Sequence, residues 1–408
     1  MELQQLIIIF SGLLMLAVLL RTFMERFHIP FPAVLVVAGI IGEATLSQFD
    51  IELIIDADSF RNIIIYVLLP VMVFEAAFKI DVQRLFKNIL PIFFLAIPLF
   101  LLSTFITAVL IYLGIGNAET FPWMAALLTG TLLSNTDTIA IMEQLERIGV
   151  PDRLITLLDG EGILNDATAI VIFSIFTFIL LNPDISMNTG DKVVIFLAVY
   201  FGGIIVGLIT GLIFMLISRI CHGPILHGIN TMISAYTAYF VAEELLQVSG
   251  VMSVLVTGMI LGRFMRFHYG DGKDHFVNTL WTFNNYIADS TIFLLTGITL
   301  TMALFLDHSM AILIGISGVF IARAIGIYGM LPIICLLPSG KGISFNYRTA
   351  MFWSGSRGAV TLALALSIPS QFIYSETIRS IAFGAVLFSL FITAPSLSKV
   401  LKKLNLET

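Results

Sequence analysis

The feature that most constrains this chain is a series of apolar stretches long enough to cross a lipid bilayer. A membrane-spanning helix needs about 20 apolar residues, and stretches of this kind, bounded by turn residues, recur throughout the 408-residue sequence. Only 12% of the residues are charged, against about 25% in soluble domains. The sequence therefore predicts an all-α polytopic membrane protein with about 13 transmembrane helices. We number the predicted spans 1 to 13 in chain order: 5–21, 31–47, 60–78, 89–113, 122–143, 155–181, 192–218, 230–247, 251–265, 281–304, 309–337, 345–368 and 376–400.

The distribution of lysine and arginine orients these spans. Basic residues accumulate in cytoplasmic loops. Of the 21 basic residues, 16 lie after odd-numbered spans or in the C-terminal tail, and three lie on the opposite side. We therefore expect an N-terminus outside the cell, a cytoplasmic C-terminus and a location in the plasma membrane. The other two, Arg323 and Arg357, fall within spans 11 and 12, where we expect acidic residues to pair with them.

Several acidic residues also lie within the predicted spans. A carboxylate in hydrocarbon costs at least a few kcal/mol and usually marks function. With a rise of about 1.5 Å per residue, Asp166 lies roughly 16 Å from Ile155, where span 6 begins, which is about half of a 30 Å core. We interpret Glu243, Glu244 and Asp289 as structural. The full set is Glu75, Asp137, Asp159, Glu161, Asp166, Glu243, Glu244 and Asp289.

The polar residues of span 6 divide between two helix faces. At about 100° per residue, Asp159 and Asp166 share one face, while Glu161 and Asn165 share nearly the opposite one. A helix charged on two faces is expected to be surrounded by protein. We expect the face with Glu161 and Asn165 to meet the buried arginines. The Asp166 face should then line an aqueous route, with Asp159 nearer its mouth.

Spans 5 and 12 are each interrupted by small and hydroxyl residues around a charge. The segments are "LLTGTLLSNTDTIAIM" and "AMFWSGSRGAVTLALAL". Such stretches unwind locally, and their freed backbone groups can line an ion site. With span 7 as a linker, the spans divide as 6 + 1 + 6, which predicts an inverted repeat whose interrupted helices 5 and 12 cross at the site. The single transmembrane domain, 1–408, would comprise a first repeat 1–190, a linker helix 191–229 and a second repeat 230–408.

Six segments with these polar residues follow one another along nearly the whole chain: "LLPVMVFEAAFKID", "SNTDTIAIMEQLERIGVP", "DGEGILNDATAIVIF", "AYTAYFVAEELLQVSGVMSVLVTGMILG", "FIARAIGIYGMLP" and "WSGSRGAVTLALAL". In this order they resemble the motifs of the monovalent cation/proton antiporter family, specifically its NhaP-type sodium/proton antiporters. The resemblance implies a secondary active antiporter that exchanges Na⁺ or Li⁺ for H⁺ by alternating access and serves pH and sodium homeostasis. It implies a homodimer in the lipid bilayer, no enzymatic activity, no nucleic-acid partner and no cofactor beyond the transported ions.

The resemblance also implies residue roles. Asp166 would take either the cation or protons, with Asp137 as a second Na⁺ ligand and Asn165, Glu161 and the Thr136 carbonyl around them. Structural charge partners of the acidic residues would be Arg357 and Arg323. From their positions, Glu75 and Asp159 are candidates for the cytoplasmic funnel, and a structural role for Glu75 stays open.

Two positions depart from the family pattern. The serine that the family has after Glu161 is Gly162 here, and the proline after Asp137 is Thr138. The first change removes one expected hydroxyl ligand. The second means that the break in span 5 must rely on its other residues. Both bear on ion selectivity and affinity more than on the fold.

The residues also predict a stoichiometry. Asp166 follows Asn165, an amide that does not titrate, and Glu161 should stay ionised beside an arginine. If Asp137 keeps one charge state, a single carboxylate titrates in each cycle. The exchange would then be electroneutral, one cation for one proton.

Other classes of protein use similar residues. A K⁺/H⁺ antiporter or a cation-coupled symporter of the same architecture is the main alternative. A cation channel could use the same acidic layer but would pass current. An intramembrane aspartyl protease would carry a Gly-x-Gly-Asp motif, which this sequence lacks, and would leave the two arginines unexplained.

Overall fold

The computed structural model describes residues 31–48, 62–116, 121–137, 148–181, 189–273, 275–299, 302–335, 343–369 and 372–406, and singly residues 12, 15, 19, 141, 142 and 145. All regular elements in these ranges are helical, with no strand among them. Predicted span 1 lies outside the continuous ranges. Spans 2 to 13 can be compared with the structure wherever their residues are described.

The first half of the chain contains seven α-helices within the described ranges. Their lengths differ widely, because irregular residues and π-helical turns interrupt several apolar stretches. The helices are α1 (Phe31–Gln48), α2 (Leu69–Lys79), α3 (Val82–Lys87), α4 (Ile89–Phe94), α5 (Phe100–Ile115), α6 (Trp123–Ser134) and α7 (Asp152–Leu181).

The second half of the described chain adds eleven α-helices. They are α8 (Thr189–Ile220), α9 (Pro224–Phe240), α10 (Gly250–Lys273), α11 (His275–Thr299), α12 (Met302–Asp307), α13 (Ser309–Ala324), α14 (Leu331–Ile334), α15 (Phe345–Trp353), α16 (Ala359–Leu366), α17 (Ser375–Phe388) and α18 (Ala394–Lys403).

Five π-helical turns continue or join these helices, and proline explains four of them. A proline lacks the N–H of its turn and clashes with the carbonyl four residues earlier, so the helix widens locally. One turn contains Pro98, and three are followed within two residues by Pro70, Pro332 or Pro395. The turns are Ile64–Leu68, Leu95–Leu99, Val241–Leu245, Ile325–Met330 and Ser389–Thr393.

The predicted spans 2 to 13 are confirmed as helical segments where they are described. The weakly separated spans 8 and 9 are distinct, because the helical turns end at Leu245 and α10 begins at Gly250. Helix α10 continues to Lys273, beyond the end of span 9 at residue 265. Helix α11 begins at His275, before the start of span 10 at residue 281. Hydropathy marks only the apolar part of a helix, whereas backbone hydrogen bonding continues into polar sequence.

Six helical segments in the described chain are long and apolar enough to cross a membrane by themselves: Ile89–Ile115, Asp152–Thr177, Val194–Ile220, Gly250–His268, Ser309–Ile334 and Ser375–Lys403. Two shorter apolar helices, Phe31–Glu43 and Trp123–Ser134, add to them. Among the described residues, the remaining spans with continuous structure are broken or carry polar residues, so they fall below the length and composition that identify a span.

The environment of each helix matches its sequence. The charged helix α7 is buried along most of its apolar length, whereas α8 is largely exposed, as expected for a helix that faces lipid. Helix α8 contacts α10 through Gly203, Gly207 and Gly211, where an added Cβ would collide with residues of α10. Glycines at four-residue spacing let two helix backbones approach closely. The prediction that protein surrounds span 6 is confirmed.

Candidate ion-binding site

Two helices break where they meet. Helix α6 ends at Ser134, and Asn135 that follows is extended, with φ −63° and ψ 135°. Helix α15 ends at Trp353, and α16 begins at Ala359 after an irregular stretch. The interruptions predicted in spans 5 and 12 are therefore confirmed. The departure at Thr138 lies outside the described residues.

Hydrogen bonds join the two breaks directly. The Asp137 N–H donates to the Ser356 carbonyl at 2.8 Å, and the Ser356 hydroxyl donates to the Asp137 carbonyl at 2.6 Å. The Ala359 N–H at the start of α16 donates to Asp137 Oδ2 at 3.2 Å. A carboxylate is favoured there because the N-terminal end of a helix carries partial positive charge. Ser356 therefore stabilises the break that the family's proline would otherwise favour.

Two glycines permit this close approach. A Cβ at Gly358 would overlap the Asp137 carboxylate, and a Cβ at Gly355 would overlap the Arg323 guanidinium. Both overlaps are with buried charged groups held by other contacts. The two glycines of "SGSRG" are thus required by packing.

Arg323 pairs with Glu161. Its Nη1 donates to Glu161 Oε1 at 2.8 Å, and the two side chains are 6% and 1% exposed. The Arg323 Nη2 and Nε also donate to the Met351 carbonyl, at 2.8 and 3.3 Å. The expectation that the Glu161 face of span 6 meets a buried arginine agrees with this geometry, and the structure selects Arg323 as the partner.

Arg357 has a different environment from the expected one. Its Nε donates to the Leu133 carbonyl at 2.9 Å, its Nη1 donates to the Gly355 carbonyl, and its guanidinium lies 5.9 Å from the Phe320 ring centroid. We expected acidic residues to supply the partners, but these hydrogen bonds go to backbone carbonyls. The reason is that a broken helix leaves its last carbonyls without intrahelical donors.

The two arginines share one structural role. Leu133 and Met351 lie in the last turns of α6 and α15, where helix dipoles place partial negative charge. Arg357 binds the first of these ends and Arg323 the second. In each interrupted helix, the part before the break therefore has a buried arginine at its C-terminal end.

The Asn165 side of α7 contacts the break of α6. The Asn165 amide donates to the Thr136 hydroxyl at 3.0 Å, and that hydroxyl lies 3.5 Å from Glu161 Oε1. All three side chains are buried. The contacts that run from Asn165 through Thr136 and Glu161 to Arg323 fix the position of α7 relative to the break after α6.

Asp166 lies on the other face of α7, at a cavity of about 60 Å³ that Asp137 and Asp289 also line. Asp166 Oδ1 is buried and has no hydrogen-bond donor among the described residues. The Asn135 side chain is its polar neighbour. The volume suffices for a cation with a few waters. The remaining lining is apolar: Pro32, Met72, Val73, Ala76, Ile163, Phe293 and Val360.

The other candidates lie away from this cavity lining. Glu75 on α2 is buried and forms an ion pair with Lys79, and Asp159 lies on α7 about two turns before Asp166. Gly162 is a buried residue of the same helix. The funnel roles of Glu75 and Asp159 stay predictions.

Three polar residues at the site were not predicted as part of it: Asn135, Ser356 and Asp289. Asn135 and Ser356 lie inside the two interrupted segments, and this position was the sequence signal that could have identified them as site residues. Asp289 was interpreted as structural, because depth along a helix does not show which neighbour it faces.

Interrupted helices that meet beside buried carboxylates define a class of membrane proteins, the secondary transporters built on discontinuous helices. Residues 13–403 match the family described as "Sodium/hydrogen exchanger, transmembrane". The chain belongs to this family.

Named relatives and a solved structure agree with that assignment. The chain is 32% identical to the Na⁺/H⁺ antiporter ApNhaP of Aphanothece halophytica, over 99% of this chain and 75% of the relative. It is 30% identical to the Na⁺/H⁺ antiporter NhaH of Halobacillus aidingensis, over 92% of each chain. The structure of the sodium proton antiporter MjNhaP1 of Methanocaldococcus jannaschii at pH 8 superposes with a TM-score of 0.85, at 22% identity and over 99% of both chains. The all-α polytopic fold is therefore confirmed.

Proposed function

We propose that this protein is a secondary active antiporter that exchanges Na⁺ or Li⁺ for H⁺ across the plasma membrane. The observation that carries the proposal is the small buried cavity with Asp166 and Asp137 on its wall and one Asp166 oxygen without a donor among the described residues. Family membership and the printed activities of the relatives support it. The family is one of transporters, and we propose that this protein is not an enzyme.

The coupling mechanism is competition for the same oxygens. A protonated Asp166 has no charge to offer a cation, and an ionised Asp166 can bind one. If the cavity opens alternately to the two sides, Asp166 carries a cation in one direction and a proton in the other. No separate coupling element is needed, because the carboxylate does not hold both cargoes at once.

Each neighbouring residue has a definite part in this scheme. Asp137 supplies a second carboxylate, with Oδ2 held by the Ala359 N–H. Asn165 and Thr136 position α7 against the break of α6, and the Thr136 carbonyl is a proposed ligand. Glu161 is neutralised by Arg323 and is therefore a structural charge more than a ligand.

The ligand chemistry favours small monovalent cations. Carboxylate, amide and carbonyl oxygens are hard donors that suit Na⁺ and Li⁺, and a cavity of about 60 Å³ holds an ion with only a few waters. We therefore favour Na⁺ and Li⁺ over K⁺. A K⁺/H⁺ antiporter and a cation-coupled symporter use the same architecture and are separated by ion specificity and by the direction of proton flux.

Assembly and topology belong to the same proposal. The 16-to-3 distribution of basic residues supports an outside N-terminus and a cytoplasmic C-terminus. The matching positions of the two interrupted helices support the inverted repeat of 1–190 and 230–408 around a linker helix. We also propose a homodimer, on the resemblance to the NhaP-type antiporters.

The test is exchange by purified protein in liposomes that contain a pH-sensitive dye. With an inward proton load, Na⁺ or Li⁺ added outside should alkalinise the lumen, and K⁺ should do so weakly. Equal responses to K⁺ and Na⁺ would favour the K⁺/H⁺ alternative. Acidification of a neutral lumen when Na⁺ enters would indicate a symporter. No response to any of the three cations would reject the proposal.

A further inference from the structure

We infer that Asp289 is a third carboxylate of the cation cavity and binds the transported cation together with Asp166 and Asp137. The inference rests on the proposed exchange function and adds an affinity-determining residue to it.

The position of Asp289 supports this role. Helix α11 packs against α1, α2 and α16, while Asp166 belongs to α7 and Asp137 to the break after α6. The three carboxylates line one cavity from three different elements. A cation in that cavity would therefore have acidic groups on more than one side, which is the arrangement needed when water is largely excluded.

The environment of Asp289 does not fit a structural carboxylate. Glu161, the structural case in this protein, has a buried ion pair with Arg323. Within the described residues no Lys, Arg or His forms an ion pair with Asp289, and its charged neighbours are the carboxylates Asp137, Asp166 and Glu75. Asp289 is half-buried, and a carboxylate that has lost much of its contact with water and has no cation of the protein beside it is costly unless a proton or a ligand cation neutralises it. The cavity gives a cation access to it.

Neighbouring acceptors provide a second, independent observation. The Asn285 amide donates to Asp289 Oδ2 at 3.1 Å and fixes the carboxylate from one turn away. Asn285 is buried, and its own Oδ1 has no donor among the described residues, as is the case for Asp166 Oδ1. Unpaired buried acceptors are unfavourable. Of these two oxygens, Asp166 Oδ1 belongs to a residue that lines the cavity, where a cation or its waters can satisfy it, while Asn285 lies one turn from Asp289 on the same helix.

The experiment compares wild type, Asp289→Asn, Asp289→Glu and Glu244→Gln by Na⁺-driven exchange in proteoliposomes. Glu244 is the matched control, because it is a carboxylate outside the cavity whose hydrogen bond from Tyr66 a glutamine can still accept. We expect Asp289→Asn to raise the apparent KM for Na⁺ about tenfold, the effect of losing one charge-assisted contact. Asp289→Glu should bring the KM back towards wild type, and Glu244→Gln should leave it unchanged.

A binding measurement separates affinity from a structural effect. In detergent, Na⁺ should raise the melting temperature of wild type and of Glu244→Gln, and should raise that of Asp289→Asn much less at the same concentration. A wild-type KM and a wild-type Na⁺ response in Asp289→Asn would overturn the inference. If the wild-type protein itself showed no exchange, the proposed function would be overturned instead.

A second variant keeps the test decisive if Asp289→Asn does not fold. Asn285→Ala removes the donor that orients Asp289 and keeps the carboxylate. We expect a smaller rise in the KM for Na⁺ than in Asp289→Asn. An unchanged KM in Asn285→Ala, with the protein folded, would then count against the inference.

Discussion

Arg323 and Glu161 form an ion pair, 2.8 Å between Nη1 and Oε1, in which both side chains are almost fully buried. The pair connects α13 to α7, and Arg323 extends the connection to α15 through the Met351 carbonyl. One guanidinium therefore connects three helices, of which α7 carries Asp166.

Breaking this pair should destabilise the protein. Removal of one member leaves the other charged and unpaired, which typically costs about 3–5 kcal/mol. We expect Arg323→Ala and Glu161→Ala each to lower the melting temperature in detergent strongly, and the double variant to lose less than the sum. Lys402→Ala, an exposed residue of α18, is the control. Single-variant melting temperatures equal to wild type would show that the pair contributes no stability.

Much of this fold could be predicted from the sequence, because hydropathy and helical periodicity directly encode which residues a bilayer accepts. The two faces of α7 follow from the same periodicity, so Asp166 and Glu161 were correctly separated. The contact between Ser356 and Asp137 could not be predicted, since irregular backbone has no periodic pattern. The carbonyl partners of Arg357 could not be predicted either, because every residue has a backbone carbonyl and the sequence does not mark which one accepts the hydrogen bond. The position of Asp289 at the cavity could not be predicted, because it depends on which helices pack around that residue.

Gly358 tests the packing of the two breaks. A Cβ there would overlap the Asp137 carboxylate, and overpacking of this kind typically costs about 1–3 kcal/mol. We expect Gly358→Ala to lower the melting temperature and to reduce exchange sharply, because Asp137 must move. Gly329→Ala is the matched control, since a Cβ at Gly329 meets nothing within 4 Å. Normal exchange by Gly358→Ala would mean that the Asp137 position is not critical.

Proton and cation should compete in the steady-state kinetics. If both bind the Asp166 carboxylate, the apparent KM for Na⁺ should rise as pH falls, approaching about tenfold per pH unit in the acid range. The maximal rate should change much less, because saturating Na⁺ displaces the proton. Exchange rates across a matrix of Na⁺ concentrations and pH values give both constants. A pH-independent KM with a varying maximal rate would argue for separate binding sites.

Exchange should be electroneutral. Asn165 does not titrate and Glu161 is paired with Arg323; the prediction assumes that Asp137 and Asp289 each keep one charge state through the cycle. One cation then replaces one proton on Asp166. In proteoliposomes clamped with K⁺ and valinomycin, the rate of Na⁺-driven exchange should be insensitive to the imposed voltage. A steep dependence on voltage would mean that a second group titrates.

The central claim is that Asp166 binds both cargoes, and Asp166→Asn in proteoliposomes with a luminal pH dye tests it most directly. The control on the same helix is Asp152→Asn, which removes a surface carboxylate paired with Arg84, an interaction of small energetic value. Both variants should insert and melt like wild type. We predict that Na⁺ drives a full pH change with wild type and Asp152→Asn and none with Asp166→Asn. Near-normal Na⁺-driven exchange by Asp166→Asn would contradict the account.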